Sequence, residues 1–226
     1  QQIPARNKEY GDKIRSLFLP EEGKQWGSFD YSQQEPRLVA HYAASIDENF
    51  TGAQEFITAY QNEAADFHQI VADMAGISRT QAKTINLGLF YGMGKAKLSK
   101  ELGISKDAAE NLLGKYHNRV PFVKKLAEAV MSSASKYGFI RTIKGRKCRF
   151  DMWEPATFGM NKAMQYEEAK AIYGNNIRRA FTYKALNRLI QGSAADQTKQ
   201  AMIECYKQGF KPMLQIHDEL CFSINE

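Results

Sequence analysis

Two acids follow a histidine in His217-Asp218-Glu219, with the apolar runs Met213 to Ile216 and Leu220 to Ile224 on either side. A tight hairpin favours Asn-Gly, Asp-Gly or other glycine-containing pairs in its turn, so successive acids there ask for another explanation. A further acid, Asp30, ends the stretch "WGSFD" just before a helix opens, and Glu35 lies at that helix start. A lone strand-end aspartate is ordinarily a cap or turn former. Carboxylates brought together from separate strands, as Asp30 and Asp218 can be, repel and raise each other's pKa unless a cation neutralises them. A small oxygen-only ligand set with open positions suits Mg²⁺, which keeps water and substrate phosphates in its shell. Two such ions can activate a hydroxyl and stabilise a leaving pyrophosphate.

A second constellation is cationic. Ser78 and Gln81 satisfy the Ser-x-x-Gln capping box, so a helix is expected to start there, with Arg79 and Lys83 in its first turns. That is the unfavourable end for cations, since the helix dipole is positive there and the backbone N–H groups are unpaired. The placement makes sense if a polyphosphate binds. Arg79, Lys83, Leu87 and Tyr91 recur every four residues and stay on one side of the helix over about 18 Å, the length of a nucleoside triphosphate. Gly88 and Gly92 permit close approach or bending. The plain alternative is an amphipathic helix with two surface cations.

Two basic groups lie further on. "RTIKGRKCR" (141–149) carries Arg141, Lys144, Arg146, Lys147 and Arg149 without an acid and reads as a hairpin turning at Lys144-Gly145. Arg178, Arg179, Lys184 and Arg188 fall where a helix is expected. Each group binds phosphate or is a solvated face. Asn187 and Gln191, four apart, put two amides on one helix face. Both can donate to the minor-groove acceptors that every base pair presents.

The elements that must hold these residues follow from the pattern. Strand character covers 26–30, a helix with Pro36 near its start runs to about Ile46, and helices dominate from about 52 to 136. Residues 137–150 return to strand, "DMWEPATFGMNKAM" reads as an irregular connection, 163–208 as mostly helical, and the chain closes with the apolar hairpin. Strands at the two ends and helices between imply an α+β fold, an antiparallel sheet with a helical insertion.

The chain of 226 residues with 43% hydrophobic content is large enough to bury a core. Cys148, Cys205 and Cys221 are too few and too far apart for a disulfide framework or a zinc site. No stretch approaches the roughly 18 apolar residues of a membrane span, and "QQIPARNKEY" lacks the regions of a signal peptide. No membrane association and a cytoplasmic setting are therefore expected. A net charge of +6 fits an anionic partner.

The segments "DYSQQE", "RTQAKTINLGLFYG" and "QIHDE" resemble, in order, motifs A, B and C of family A DNA polymerases, the DNA polymerase I group. Arg-x3-Lys-x7-Tyr-Gly is matched at Arg79, Lys83, Tyr91 and Gly92. "DFH" at Asp66 to His68, "KGRKCRF" and "ALNRLIQGSAAD" add to the likeness, which runs from residue 1 to 226.

The resemblance implies a palm over 1–46 and 137–226 and helical fingers over 47–136, with thumb and exonuclease domains and the last palm segment outside these residues. It implies Asp30 and Asp218 as metal-binding catalytic carboxylates, the Tyr31 carbonyl as a further ligand, and Glu219 in support. Glu35 takes the place of a steric gate against a ribose 2′-hydroxyl, and Gln33 lies near nucleotide and primer end. Arg79, Lys83 and His68 hold the triphosphate, Lys83 protonates the leaving pyrophosphate, Tyr91 packs near the templating base and Leu87 near the sugar. His217, Arg146, Asn187, Arg188 and Gln191 contact primer or template. Two Mg²⁺ ions (Mn²⁺ as substitute), dNTPs, primer-template DNA and other replication proteins are the implied cofactors and partners, in a bacterial or phage-infected cell. Leu87 departs from the Phe or Tyr common there and is similar to phage-encoded branches, and Pro36 replaces an aliphatic residue. The alternatives are an inactive or partner-dependent primer-template-binding fragment and a single-subunit RNA polymerase, against which Glu35 and Glu219 speak.

Overall fold

The strand that ends at Asp30 does pair with the strand that follows Asp218. The structure, a computed structural model, describes residues 9–46, 57–58, 66–90, 93–157, 159 and 162–225. It divides into two compact units, one formed by Gln1–Gln34 with Ala194–Glu226 and the other by Glu35–Ser193.

In the first unit, helix α1 (Gly11–Arg15) precedes strand β1 (Gln25–Asp30), and the chain ends in β6 (Pro212–Ile216) and β7 (Glu219–Ile224). These three strands make an antiparallel sheet in the order β1-β7-β6. The β1–β7 register sets Asp30 opposite Glu219, Phe29 opposite Leu220, Ser28 opposite Cys221 and Gly27 opposite Phe222. Side chains alternate along a strand, so Ser28, Asp30, Glu219 and Cys221 share one face while Phe29, Leu220 and Phe222 share the other. The rings of Phe29 and Phe222 meet edge to face at 5.8 Å. β7 is the central strand, and Leu220, Cys221 and Phe222 are buried in succession along it. Gln34, at the start of helix α2 (Gln34–Ile46), is anchored within this unit: its amide nitrogen donates toward Ala194 O, Gln197 Oε1 and Thr198 Oγ1 at 3.2 to 3.3 Å.

The second unit is helical at its centre. It contains α3 (Phe67–Ala75), α4 (Arg79–Phe90), α5 (Lys95–Leu102), α6 (Lys106–Arg119) and α7 (Pro121–Tyr137). Phe67, Val71, Ile85, Leu98, Tyr116, Phe122 and Leu126 fill the core between them. Both ends of α7 follow from sequence: Pro121 needs no N–H in a first turn, and Gly138 closes the helix in the left-handed conformation at φ 74°. Strands β2 (Phe139–Arg141) and β3 (Lys147–Arg149) form the basic hairpin, with Gly145 at φ 76°.

Two expectations are corrected in the segment that follows. The connection read as irregular contains β4 (Trp153–Pro155); the stretch 163–208 is mostly helical as expected, with the short α8 (Tyr166–Tyr173), a single 3₁₀ turn at Thr182–Lys184 and a long final helix, but β5 (Ile177–Arg179) interrupts it. β4 pairs with β5, and Trp153 also bridges to Met164. Arg178 and Arg179 therefore stand on a strand, not on the helix expected for them. Three-residue strands carry too little alternation to be read locally; the pairing that creates them is remote in sequence. The long helix α9 (Ala185–Lys207) then leads to the closing strands.

Among the described residues no helix is long and apolar enough to cross a membrane.

Candidate active site

In the first unit the turn between β6 and β7 is only His217-Asp218. His217 takes the left-handed conformation, φ 55°, that glycine or asparagine ordinarily supplies, and the Gln215 amide donates to its carbonyl at 3.0 Å. Gln33, on the other side of the acids in sequence, is likewise left-handed at φ 53°. Such backbone costs of order 1–3 kcal/mol and collects at sites where a side chain must be aimed.

What this turn aims is a carboxyl. The carboxyls of Asp30 and Asp218 lie within hydrogen-bonding reach of one another, and the charge of Glu219 acts on Asp30 as well. Partial loss of hydration, then the negative charges of Asp218 and Glu219, hold the Asp30 carboxyl above its ordinary range; a backbone hydrogen bond at Tyr31 opposes this only in part. Glu219 is held from behind: Ser28 Oγ donates to its Oε1, and the Cys221 thiol reaches the same oxygen at 3.7 Å. These two residues were not singled out in the sequence. The signal was available in the two-residue spacings Ser28/Asp30 and Glu219/Cys221, but only the register shows that the pairs face each other. Tyr31 is half-buried, with burial first and then Cys205 and Glu204 pushing its phenol up.

In the second unit the capping box forms reciprocally: Ser78 N–H donates to Gln81 Oε1 at 3.1 Å and Gln81 N–H to Ser78 Oγ at 3.2 Å. Arg79 follows it, and Asp66 answers its charge. Asp66 caps α3 by accepting from the backbone N–H groups of His68 and Gln69 through Oδ1, while its Oδ2 takes Arg79 Nε at 2.8 Å and Nη2 at 2.7 Å. These bonds outweigh its burial and hold Asp66 below the usual carboxylate range. Lys83, one turn further, is exposed and forms no ion pair among the described residues.

His68 is half-buried beside these two cations, and burial, then Arg79 and Lys83, push its imidazole down against the opposing pull of Asp66. Its Nδ1 lies 3.1 Å from the amide of Asn86, which is fully buried. Glu35 is the second residue of α2 and half-buried; Leu87 falls within α4, and Tyr91 and Gly92 lie outside the described residues. Gly88 admits Met93, since a methyl group there would meet Met93 Cε at 1.6 Å.

The basic hairpin rests on the start of α9. Arg146 Nη2 donates to Gly192 O at 3.0 Å, Ile143 N–H donates to Ser193 Oγ at 3.1 Å, and a Cβ at Gly192 would meet Thr142 Cγ2 at 2.9 Å. Gly192 is thus a close-packing position. Arg188 donates to Arg149 O at 3.0 Å and lies 4.7 Å over the Phe150 ring, and Arg178 Nε pairs with Glu154 at 2.9 Å. Gln191 is exposed, whereas Asn187 is half-buried and its amide nitrogen is buried without a hydrogen-bond partner.

Two clusters therefore stand out, each within its own unit: an acidic one of Asp30, Asp218 and Glu219, and a cationic one of Arg79, Lys83 and His68 tied to Asp66. The family model for DNA polymerase family A matches residues 1–226. A DNA-directed DNA polymerase of Pseudomonas phage M6 is 38% identical, the match covering 100% of this chain and 37% of the relative. The thermostable DNA polymerase I of Thermus aquaticus is 31% identical, over 97% of this chain and 25% of the relative. Among solved structures, the POL domain of Pol1 from M. smegmatis in complex with DNA primer-template and dNTP is similar with a TM-score of 0.72 at 30% identity, covering 100% of this chain and 38% of that one. The chain thus spans between a quarter and two fifths of the length of these proteins, and over that span it belongs to DNA polymerase family A.

Proposed function

We propose that these residues carry out template-directed DNA synthesis as part of a longer polymerase. The reaction is transfer of a deoxynucleoside monophosphate from a dNTP to a primer 3′-hydroxyl, with release of pyrophosphate. The observation that carries the reading is the meeting of Asp30, at the end of β1, with Asp218 in the β6–β7 turn and Glu219 beside them, in a chain matched throughout by the family. Residues 1–46 and 137–226 are read as palm and 47–136 as fingers. The likeness to a polymerase domain bound to primer-template and dNTP supports DNA and nucleotide as partners, and the phage and bacterial relatives support the cytoplasm of a bacterial or phage-infected cell as the setting.

The acid pair fits a divalent metal on its own chemistry. Asp30 and Asp218 offer oxygen alone, their charges crowd each other, and Mg²⁺ is commonly bound by one or two carboxylates plus phosphates and water. Asp30, Asp218 and the Tyr31 carbonyl would hold two Mg²⁺ ions, with Mn²⁺ as a substitute. Bound there, such ions raise the acidity of the attacking hydroxyl and stabilise charge on the leaving group.

The remaining work falls to the protein's own groups. Glu219, steadied by Ser28 and Cys221, keeps the acid pair in register. Arg79, Lys83 and His68 bind the triphosphate; Arg79 is aligned for this by Asp66, and exposed Lys83 supplies the proton to departing pyrophosphate. Glu35 excludes the 2′-hydroxyl, Gln33 meets nucleotide and primer end, Leu87 the sugar and Tyr91 the base. Arg146, Asn187, Arg188, Gln191 and His217 hold the duplex. The base pairing with template supplies specificity, and the fingers close on the correct nucleotide.

The test is Mg²⁺-dependent primer extension by this chain and by its longer parent, each with an Asp218→Ala control and with dNTPs against rNTPs. The parent extends with dNTPs and its Asp218→Ala variant does not. Full activity in that variant, or preferred use of rNTPs, overturns the reading.

A further inference from the structure

The mechanism above uses His68 but not the two buried groups behind it. Tyr116, on α6, has no exposed surface, and burial pushes its phenol far above the ordinary range, so it keeps its proton. Its hydroxyl lies 2.6 Å from Asn86 Oδ1 in a buried hydrogen bond and must donate there. At 2.6 Å this contact has the length of an O–H···O bond rather than an N–H···O one, which turns the Asn86 oxygen toward Tyr116 and the nitrogen toward His68 Nδ1 at 3.1 Å. An amide nitrogen only donates, so Nδ1 must accept with its lone pair. A neutral imidazole that accepts at Nδ1 carries its proton on Nε2. An imidazolium would set an Nδ1–H against an amide N–H, which neither burial nor the nearby Arg79 and Lys83 would offset.

We infer that Tyr116 and Asn86 are positioning residues that lock His68 in the neutral Nε2–H tautomer, as an uncharged hydrogen-bond donor for a phosphate oxygen of the incoming triphosphate. The ligand half of this rests on the reading of His68 given above; the tautomer half rests on the side-chain chain alone. The arrangement gives the site directionality without a third cation. Arg79 and Lys83 supply charge and His68 supplies an aimed N–H. Neither Tyr116 nor Asn86 needs to touch the nucleotide.

The experiment uses the full chain with ¹⁵N-labelled histidine, whose ring nitrogens report the tautomer directly; the His68 signals are identified by their loss in His68→Gln. The expected wild-type spectrum is Nε2–H with Nδ1 as acceptor. Tyr116→Phe removes one hydroxyl from the chain and is expected to mix the two tautomers and to weaken dATP binding about three- to tenfold. The thermal transition should fall by a few degrees, because Asn86 Oδ1 loses its buried donor; the tautomer mixture is the readout that a merely structural role would not move. A wild-type ring protonated at Nδ1 overturns the proposal, as does a Tyr116→Phe protein with unchanged tautomer and unchanged dATP affinity. If Tyr116→Phe fails to fold, the wild-type spectrum still decides the tautomer. A His68→Gln protein that binds dATP and inorganic tripolyphosphate as wild type does overturns the phosphate assignment separately, whatever the tautomer proves to be.

Discussion

Replacing Asp30 by Asn should stabilise the metal-free protein while abolishing synthesis. When both are ionised, the carboxyls of Asp30 and Asp218 hold charged oxygens within hydrogen-bonding reach of one another, roughly 3 Å apart. Two like charges at that distance repel by about 1.4 kcal/mol in bulk water, and more where the local dielectric is lower. Asp30 is exposed, so salt and solvent screening bring the figure to about 1 kcal/mol. Asparagine removes the charge and offers an N–H donor that keeps the contact with Asp218. For a chain of this length about 1 kcal/mol corresponds to a rise in Tm of about 2–4 °C.

The pH dependence has a definite sign. A carboxyl whose folded pKa is raised favours the native state when protonated, so the native protein loses stability as pH rises through that pKa. The advantage of Asp30→Asn should therefore be present at neutral pH and vanish below the ordinary carboxylate range of about pH 4. It should also shrink as salt is raised. Mg²⁺ should reverse the order, because binding to the native wild type adds stability by mass action and the variant lacks a ligand. The assay is thermal unfolding of both proteins at neutral and acid pH, with and without Mg²⁺. A destabilised variant at neutral pH, or equal protection of both proteins by Mg²⁺, refutes the reasoning.

Asp66→Ala removes a helix cap and the partner of Arg79 together; it should cost about 1–2 kcal/mol in urea unfolding. Because the folded pKa of Asp66 is depressed, that loss is full above the ordinary carboxylate pKa and disappears as pH falls through the folded value. Gly192→Val forces a branched side chain toward Thr142 Cγ2 and Arg146; it should cost about 1–3 kcal/mol and weaken primer-template binding in a gel-shift titration. Ser28→Ala leaves Glu219 with only the weak Cys221 donor, so the Mg²⁺ concentration for half-maximal extension should rise about two- to tenfold with little change in stability. Unchanged metal dependence removes Ser28 from the site.

Much of the acidic cluster was legible because its signals are local or simply periodic. Acids in a turn between apolar strands and a third acid at another strand end allowed Asp30 and Asp218 to converge, and the family resemblance paired them. The capping box at Ser78 and Gln81 and the hairpin around Gly145 were legible for the same reason, since each is a bargain struck within a few residues. The helical reading of Arg178 and Arg179 failed because β4 and β5 are three residues long and exist only through each other. Asn86 carries no distinguishing signal in the sequence; that Tyr116, thirty positions away, makes it a relay to His68 has no local trace.

The sequence by itself determined which residues carry charge and chemistry and which short turns and caps they occupy. The tertiary structure alone decided their partners. Asp66 and not solvent answers Arg79, Ser28 and Cys221 grip Glu219, and Tyr116 reaches His68 through Asn86, because strand register and helix packing join residues whose spacing along the chain carries no information about their distance.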